Sequence, residues 1–156
     1  MKKLLKKSKG FTLVELLIVI IIIGILAGMM LLATGSATDK AEATKIVANM
    51  RTIKSACLMY YADKGAWPGT DNIDSVSDYM DSKISTDIYS FANTKNTDDS
   101  AGTGLVIKAD LSGTQFSSGM KGKLKGMAAD SGLWTDEKCS TEYAGGDTAV
   151  MAIKKN

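Results

Sequence analysis

The sequence predicts an α+β protein in which one long N-terminal helix packs against a small antiparallel sheet. Three observations carry that expectation. Residues 16–38 hold no charge and are dominated by Leu, Ile, Val and Met. From Ile46 to Tyr61 the apolar residues then recur at three- and four-residue steps, the period of an amphipathic helix. Beyond Pro68, short apolar runs at 84–91, 105–111 and 148–153 are separated by polar, Gly-containing stretches, a pattern of short strands.

Composition narrows the function classes. The chain has 156 residues, 45% of them hydrophobic. Setting the apolar stretch aside leaves a globular part that can bury only a small core. The net charge is +2, yet Lys2, Lys3, Lys6, Lys7 and Lys9 all fall in the first ten positions. From Phe11 onward 14 of the 19 basic residues remain against 17 acidic ones, a net of −3. No basic patch with interleaved aromatics occurs, so no nucleic-acid binding is expected. There is no histidine, which removes the commonest general base and metal ligand. Nucleophile triads and Gly-rich phosphate loops are missing too. The acid pairs Asp98-Asp99 and Asp136-Glu137 lack calcium-loop spacing. The reading is a protein with no enzymatic role, no metal and no cofactor.

The first element is the apolar helix. Residues 16–33 reach the minimum length that reads as a membrane span. The lysines before them place that end in the cytoplasm, so the chain beyond about Ser36 lies across the membrane. Two features depart from a plain anchor. Glu15 opens the run, where an ionised carboxylate is costly and usually has a partner. It also completes a T-x-x-E capping box with Thr12 as N-cap. Gly24 and Gly28 form a G-x-x-x-G pair, continued by Ala33, Ala37 and Ala41 at four-residue steps. That spacing lets helices approach closely, although Gly is also simply frequent in membrane helices.

The second element continues the helix over 39–64. Ile46, Met50, Ile53, Cys57, Tyr60 and Tyr61 mark its apolar face, and Lys45, Asn49, Arg51, Thr52 and Ser55 take the remainder. A helix over 11–63 spans roughly 80 Å at 1.5 Å per residue. Gly65 and Pro68 stop it, with Trp67 expected to plug the core. Further on, the spacing predicts a short helix over 75–82 capped by Asp74 or Ser75, and helical character at Phe116, Met120, Leu124 and Met127. Gly119, Gly122 and Gly126 weaken that last helix. Residues 93–103 read as an exposed polar loop.

The octapeptide Lys9-Gly10-Phe11-Thr12-Leu13-Val14-Glu15-Leu16 resembles the prepilin signature of type IV pilins and type II secretion pseudopilins. Tyr60-Tyr61-Ala62-Asp63-Lys64-Gly65-Ala66-Trp67-Pro68 is similar to a stretch of major pseudopilins and some pilins, with Trp67 where Tyr is usual. The resemblance implies cleavage by prepilin peptidase between Gly10 and Phe11, N-methylation of Phe11, and pairing of Glu15 with the Phe11 amine of an adjacent subunit. The chain then divides into a leader (1–10), a membrane-spanning and filament-core helix (11–38) and a globular head (39–156). Implied partners are copies of itself in a helical filament, the peptidase, the inner-membrane assembly machinery and the membrane. The precursor sits in the inner membrane with its head outside the cytoplasm, and the product is a cell-surface or periplasmic filament. Many relatives carry a proline within the helix; here none precedes Pro68, which leaves Gly24, Gly28 and Gly35 as its weak points. The function expected is a surface pilus subunit, because the Gly-rich, Ser/Thr-rich head lacks a clear pseudopilin calcium loop; the alternative is a secretion pseudopilus. A remote rival is a secretory signal cut after Ala37, which leaves Glu15 unexplained.

The reading also pairs Cys57 with Cys139 as a disulfide candidate. Both lie outside the cytoplasm in this orientation, where disulfides persist. The alternative is that Cys57 is simply buried.

Overall fold

The computed structural model describes residues 10–69, 73–94 and 104–154, with the side chains of 31–34 and 94 left aside. The chain divides into two units, Met1–Ser36 and Ala37–Asn156. Helix α1 covers Leu13–Lys64, 52 residues. Its backbone is helical through Gly24, Gly28 and Gly35.

In the first unit every residue from Gly10 to Met30 is exposed. Phe11 is 84% exposed, Leu26 61% and Met30 71%. A helix apolar on all sides and left exposed by the described residues is built for an apolar surrounding. Length and composition make α1 the described helix able to cross a membrane.

The second unit is a conventional small α+β domain. Its sheet has four antiparallel strands in the order β1-β2-β4-β3, with β1 at Tyr89–Thr94, β2 at Gly104–Asp110, β3 at Leu133–Trp134 and β4 at Thr148–Lys154. Alternation sorts the sheet faces. Phe91, Leu105, Ile107, Ala149, Met151 and Ile153 join the main core, whereas Val106 and Val150 are buried outside it. On α1 the core face is Ala43, Ile46, Val47, Met50, Ile53, Ala56 and Cys57. Tyr60 packs at its margin.

Several expectations need correction. Tyr61 is 43% exposed rather than core-facing. It carries Trp67 stacked on its ring at 4.5 Å, so Trp67 caps the margin of the core instead of filling it. The helix expected over 75–82 is a 3-10 helix at Ile73–Tyr79, begun earlier because Ile73 and Val76 are the buried anchors. The strand expected over 84–91 shifts to β1, whose Tyr89, Phe91 and Asn93 face Ala109, Ile107 and Leu105. Ile84 and Ile88 only pack against the core from the turn before it. The loop expected at 93–103 yields Asn93 and Thr94 to β1; 95–103, with Asp98 and Asp99, and the leader residues 1–9 lie outside the described residues.

The short helix α2 occupies Ser118–Gly126 and α3 occupies Ala128–Ser131. Ser117 caps α2, accepting from Met120 N at 2.9 Å and donating to Asp39 Oδ1 at 2.6 Å. Gly119 suits that spot, because a Cβ there would fall 2.0 Å from Asp39 Oδ2. Gly65 closes α1 in the left-handed conformation at φ 68°, its N–H donating to Tyr61 O at 2.9 Å.

Candidate assembly site

The start of α1 is a closed capping box. Thr12 N and Thr12 Oγ1 both donate to Glu15 Oε2 at 2.8 Å, and Glu15 N donates to Thr12 Oγ1 at 3.2 Å. The first helical bond follows, Leu16 N to Thr12 O at 3.2 Å. Both bonds to the carboxylate land on one oxygen. Among the described residues no donor reaches Oε1, so capping leaves half of the carboxylate open to a cation. Capping and charge pairing are therefore compatible roles for Glu15.

Gly10 and Phe11 precede the helix and are exposed. At Gly24 and Gly28 an added Cβ would meet nothing within 4 Å. No described residue requires glycine there. Ala37 and Ala41 are likewise exposed, and the Ala33 side chain lies outside the described residues.

Residues 5–31 match the family described as the prokaryotic N-terminal methylation motif. Fimbrial protein EcpC of Eikenella corrodens is 35% identical over 126 residues, 79% of this chain and 77% of EcpC. This chain belongs to the type IV pilin family. Over 61 residues the pilin is 44% identical to the type IV major pilin protein PilE1 of Neisseria gonorrhoeae, 39% of this chain and 37% of PilE1. Over 66 residues it is 36% identical to the type II secretion system core protein G of Klebsiella michiganensis, 42% of this chain and 46% of that protein. In fold it is similar to the major type IV pilin PilA1 of Clostridium difficile, with a TM-score of 0.51 at 18% identity, covering 77% of this chain and 99% of that one.

Within the pilin head, the outer face of α1 is unusual. Away from the core face, Ala41, Thr44, Ala48, Thr52, Ser55, Leu58, Met59 and Ala62 are all exposed, with Lys45 and Arg51 as the charges among them. A water-facing helix surface ordinarily carries many more charges. Leu58 is 48% and Met59 56% exposed.

The two cysteines of the disulfide candidate have different surroundings. Cys57 is buried in the core, and burial pushes its thiol up to about 12. It is not joined to Cys139. The side chain of Cys139 instead lies in a tight turn at φ 51°, with Sγ donating to Glu137 O at 3.9 Å. That turn is held by Asp136, whose carboxylate accepts from Ser140 N at 2.9 Å, from Thr141 N at 3.3 Å and from the Ser140 hydroxyl. The Ser140 side chain, first, and the two backbone donors hold the Asp136 carboxyl below the ordinary range. Glu137 pairs with Lys108 at 2.8 Å. The acid pair singled out in the sequence is a loop clasp, and its Asp-x-x-x-Ser spacing is the signal that could have revealed it.

Proposed function

We propose that this pilin is a structural subunit of a type IV pilus, cleaved by prepilin peptidase after Gly10, N-methylated on Phe11 and polymerised through α1. The observation that carries this reading is the apolar half of α1, exposed on every side from Leu13 to Met30 and lying within the methylation-motif match at 5–31. The membrane holds that segment before assembly, with the head outside the cytoplasm; other copies hold it afterwards. The open Oε1 of Glu15 then receives the Phe11 amine of a neighbour. This neutralises two charges that an apolar filament core would otherwise isolate. Inner-membrane assembly machinery extracts the subunit into a filament displayed at the cell surface.

The likeness to core protein G supports a second reading, a secretion pseudopilus. Imaging a strain that lacks the chain separates the two. Loss of surface fibres supports the pilus; intact fibres with exoproteins retained inside the envelope support the pseudopilus. Intact mass of the purified filament tests processing. The expected species begins at N-methylated Phe11, and a chain beginning at Thr38 would overturn the filament reading.

A further inference from the structure

The head carries two charged surfaces that cannot meet within one molecule. Between residues 43 and 62 the charges are Lys45, Arg51 and Lys54, all basic. Arg51 and Lys54 border a cleft of about 210 Å3 whose other walls include Ser131, Gly132, Trp134 and Met151. No carboxylate lines it, and among the described residues neither cation has an ion-pair partner. This cleft lies at the β3–β4 edge of the sheet. At the opposite edge, the 3-10 helix packs by β1 and the segment 80–88 leads into that strand. Over 73–88 the charges are Asp74, Asp78, Asp81 and Asp87 against Lys83, and all five are exposed. Among the described residues Asp78 and Asp81 have no ion-pair partner either.

The geometry points to a copy-to-copy contact in which the Asp78–Asp81 segment of one head docks on the Arg51–Lys54 cleft of the next. Opposite charges placed on opposite edges of one sheet cannot neutralise each other in a single chain. Between chains they can, and the contact is heterologous: each copy uses one patch as donor and the other as acceptor. Such a contact repeats without closing unless the rotation happens to form a ring, which is the geometry of a filament. The small aromatic-walled cleft gives the pairing a partly dry floor, where ion pairs are screened less than on open surface. This inference rests on the filament reading and adds where adjacent heads touch. It also predicts a salt-sensitive layer outside the apolar helical core.

The test uses full-length chains expressed in cells: the parent, R51E/K54E, D78K/D81K, and the four substitutions combined. Sheared filament yield is measured at low and high salt, with melting of the detergent-extracted subunit as the folding control. Each reversal places like charges face to face and is expected to cut yield roughly tenfold, because like-charge juxtaposition disfavours a contact strongly. The combination, which restores opposite signs, is expected to recover most of the loss. Parental yields from both reversals overturn the contact, as does a combination no better than either pair alone when all four melt alike. Normal R51E/K54E filaments that lose retention on heparin-agarose assign the cleft to an external polyanion and also overturn it. A parent that makes no filament sinks the filament reading itself, and this contact with it; a parental filament starting at Phe11 isolates a failure to the contact alone.

Discussion

The two halves of α1 have the same backbone and opposite relations to solvent. Over Leu13–Met30 the large side chains are exposed on every side, and none belongs to a core. Over Ala43–Cys57 the apolar residues other than Ala48 are gathered on one face and are buried, several completely. The first half has no polar face to sort against; the second has a sheet to sort towards. The comparison teaches that hydrophobicity alone does not locate a core. Ile22 and Ile53 are the same residue on the same helix, 51% and 0% exposed. The first is committed to surroundings that the chain does not supply, the second to surroundings that it does.

The largest effect should come where the first half meets a second molecule. Glu15→Gln keeps the capping box, since Gln fills that position too, but it removes the charge that an incoming amine requires. The variant is expected to insert and be cleaved normally while filament yield falls by roughly tenfold or more, as for any buried pair stripped of one partner. The ratio of sheared filament to membrane-bound subunit measures it, and a parental ratio would reduce Glu15 to a helix cap.

A paired truncation tests the contrast between the halves directly. Ile53→Ala opens a cavity in the head and should cost about 2–5 kcal/mol. Ile22→Ala should leave head unfolding unchanged. Denaturant melts of the detergent-solubilised chain, followed by Trp fluorescence, report both. Equal effects would mean that the apolar half packs on something within its own chain.

Cys57 offers a chemical version of the same contrast. An ordinary thiol ionises near about 8.5, whereas burial raises this one to about 12. The folded state thus holds the proton more tightly than the unfolded one. Stability from that thiol is full below pH of about 8.5 and declines as pH climbs toward 12. Without reductant, iodoacetamide at pH 8.5 should leave Cys57 unmodified in the native chain and alkylate it after unfolding, read by peptide mapping. A Cys57 that reacts only after reduction would restore the disulfide. The smallest change expected is at the end of the helix: Gly65→Ala forces a side chain into the left-handed region and should cost about 1–2 kcal/mol in the same melts.

Much of this was legible beforehand because it depends on local chemistry. The T-x-x-E box, the charge-free run and the stop at Gly65 are written in consecutive residues. So was most of the core face, since Ile46, Met50, Ile53 and Cys57 repeat with the helix. Tyr61 broke that pattern because its ring found Trp67 instead of the sheet. β3 was illegible: Leu133–Trp134 is too short to show alternation and exists only because β4 lies beside it. The start of the 3-10 helix depends on where Ile73 and Val76 are buried, which no cap signals. At the site, the role of Glu15 in the single chain could be read, while the Asp136 clasp was not, because it depends on a turn that brings Ser140 and Thr141 back onto one carboxylate.

The brevity of β3 has a consequence for life before assembly. It is the outer strand on one side of the sheet, only two residues long, followed by an isolated bridge from Trp134 to Glu142. On the other side a 3-10 helix lies near β1. Long bare edge strands recruit strands from other molecules and seed aggregates. Subunits at high local concentration would be at particular risk of that. A stunted outer strand offers few backbone groups for sideways strand addition.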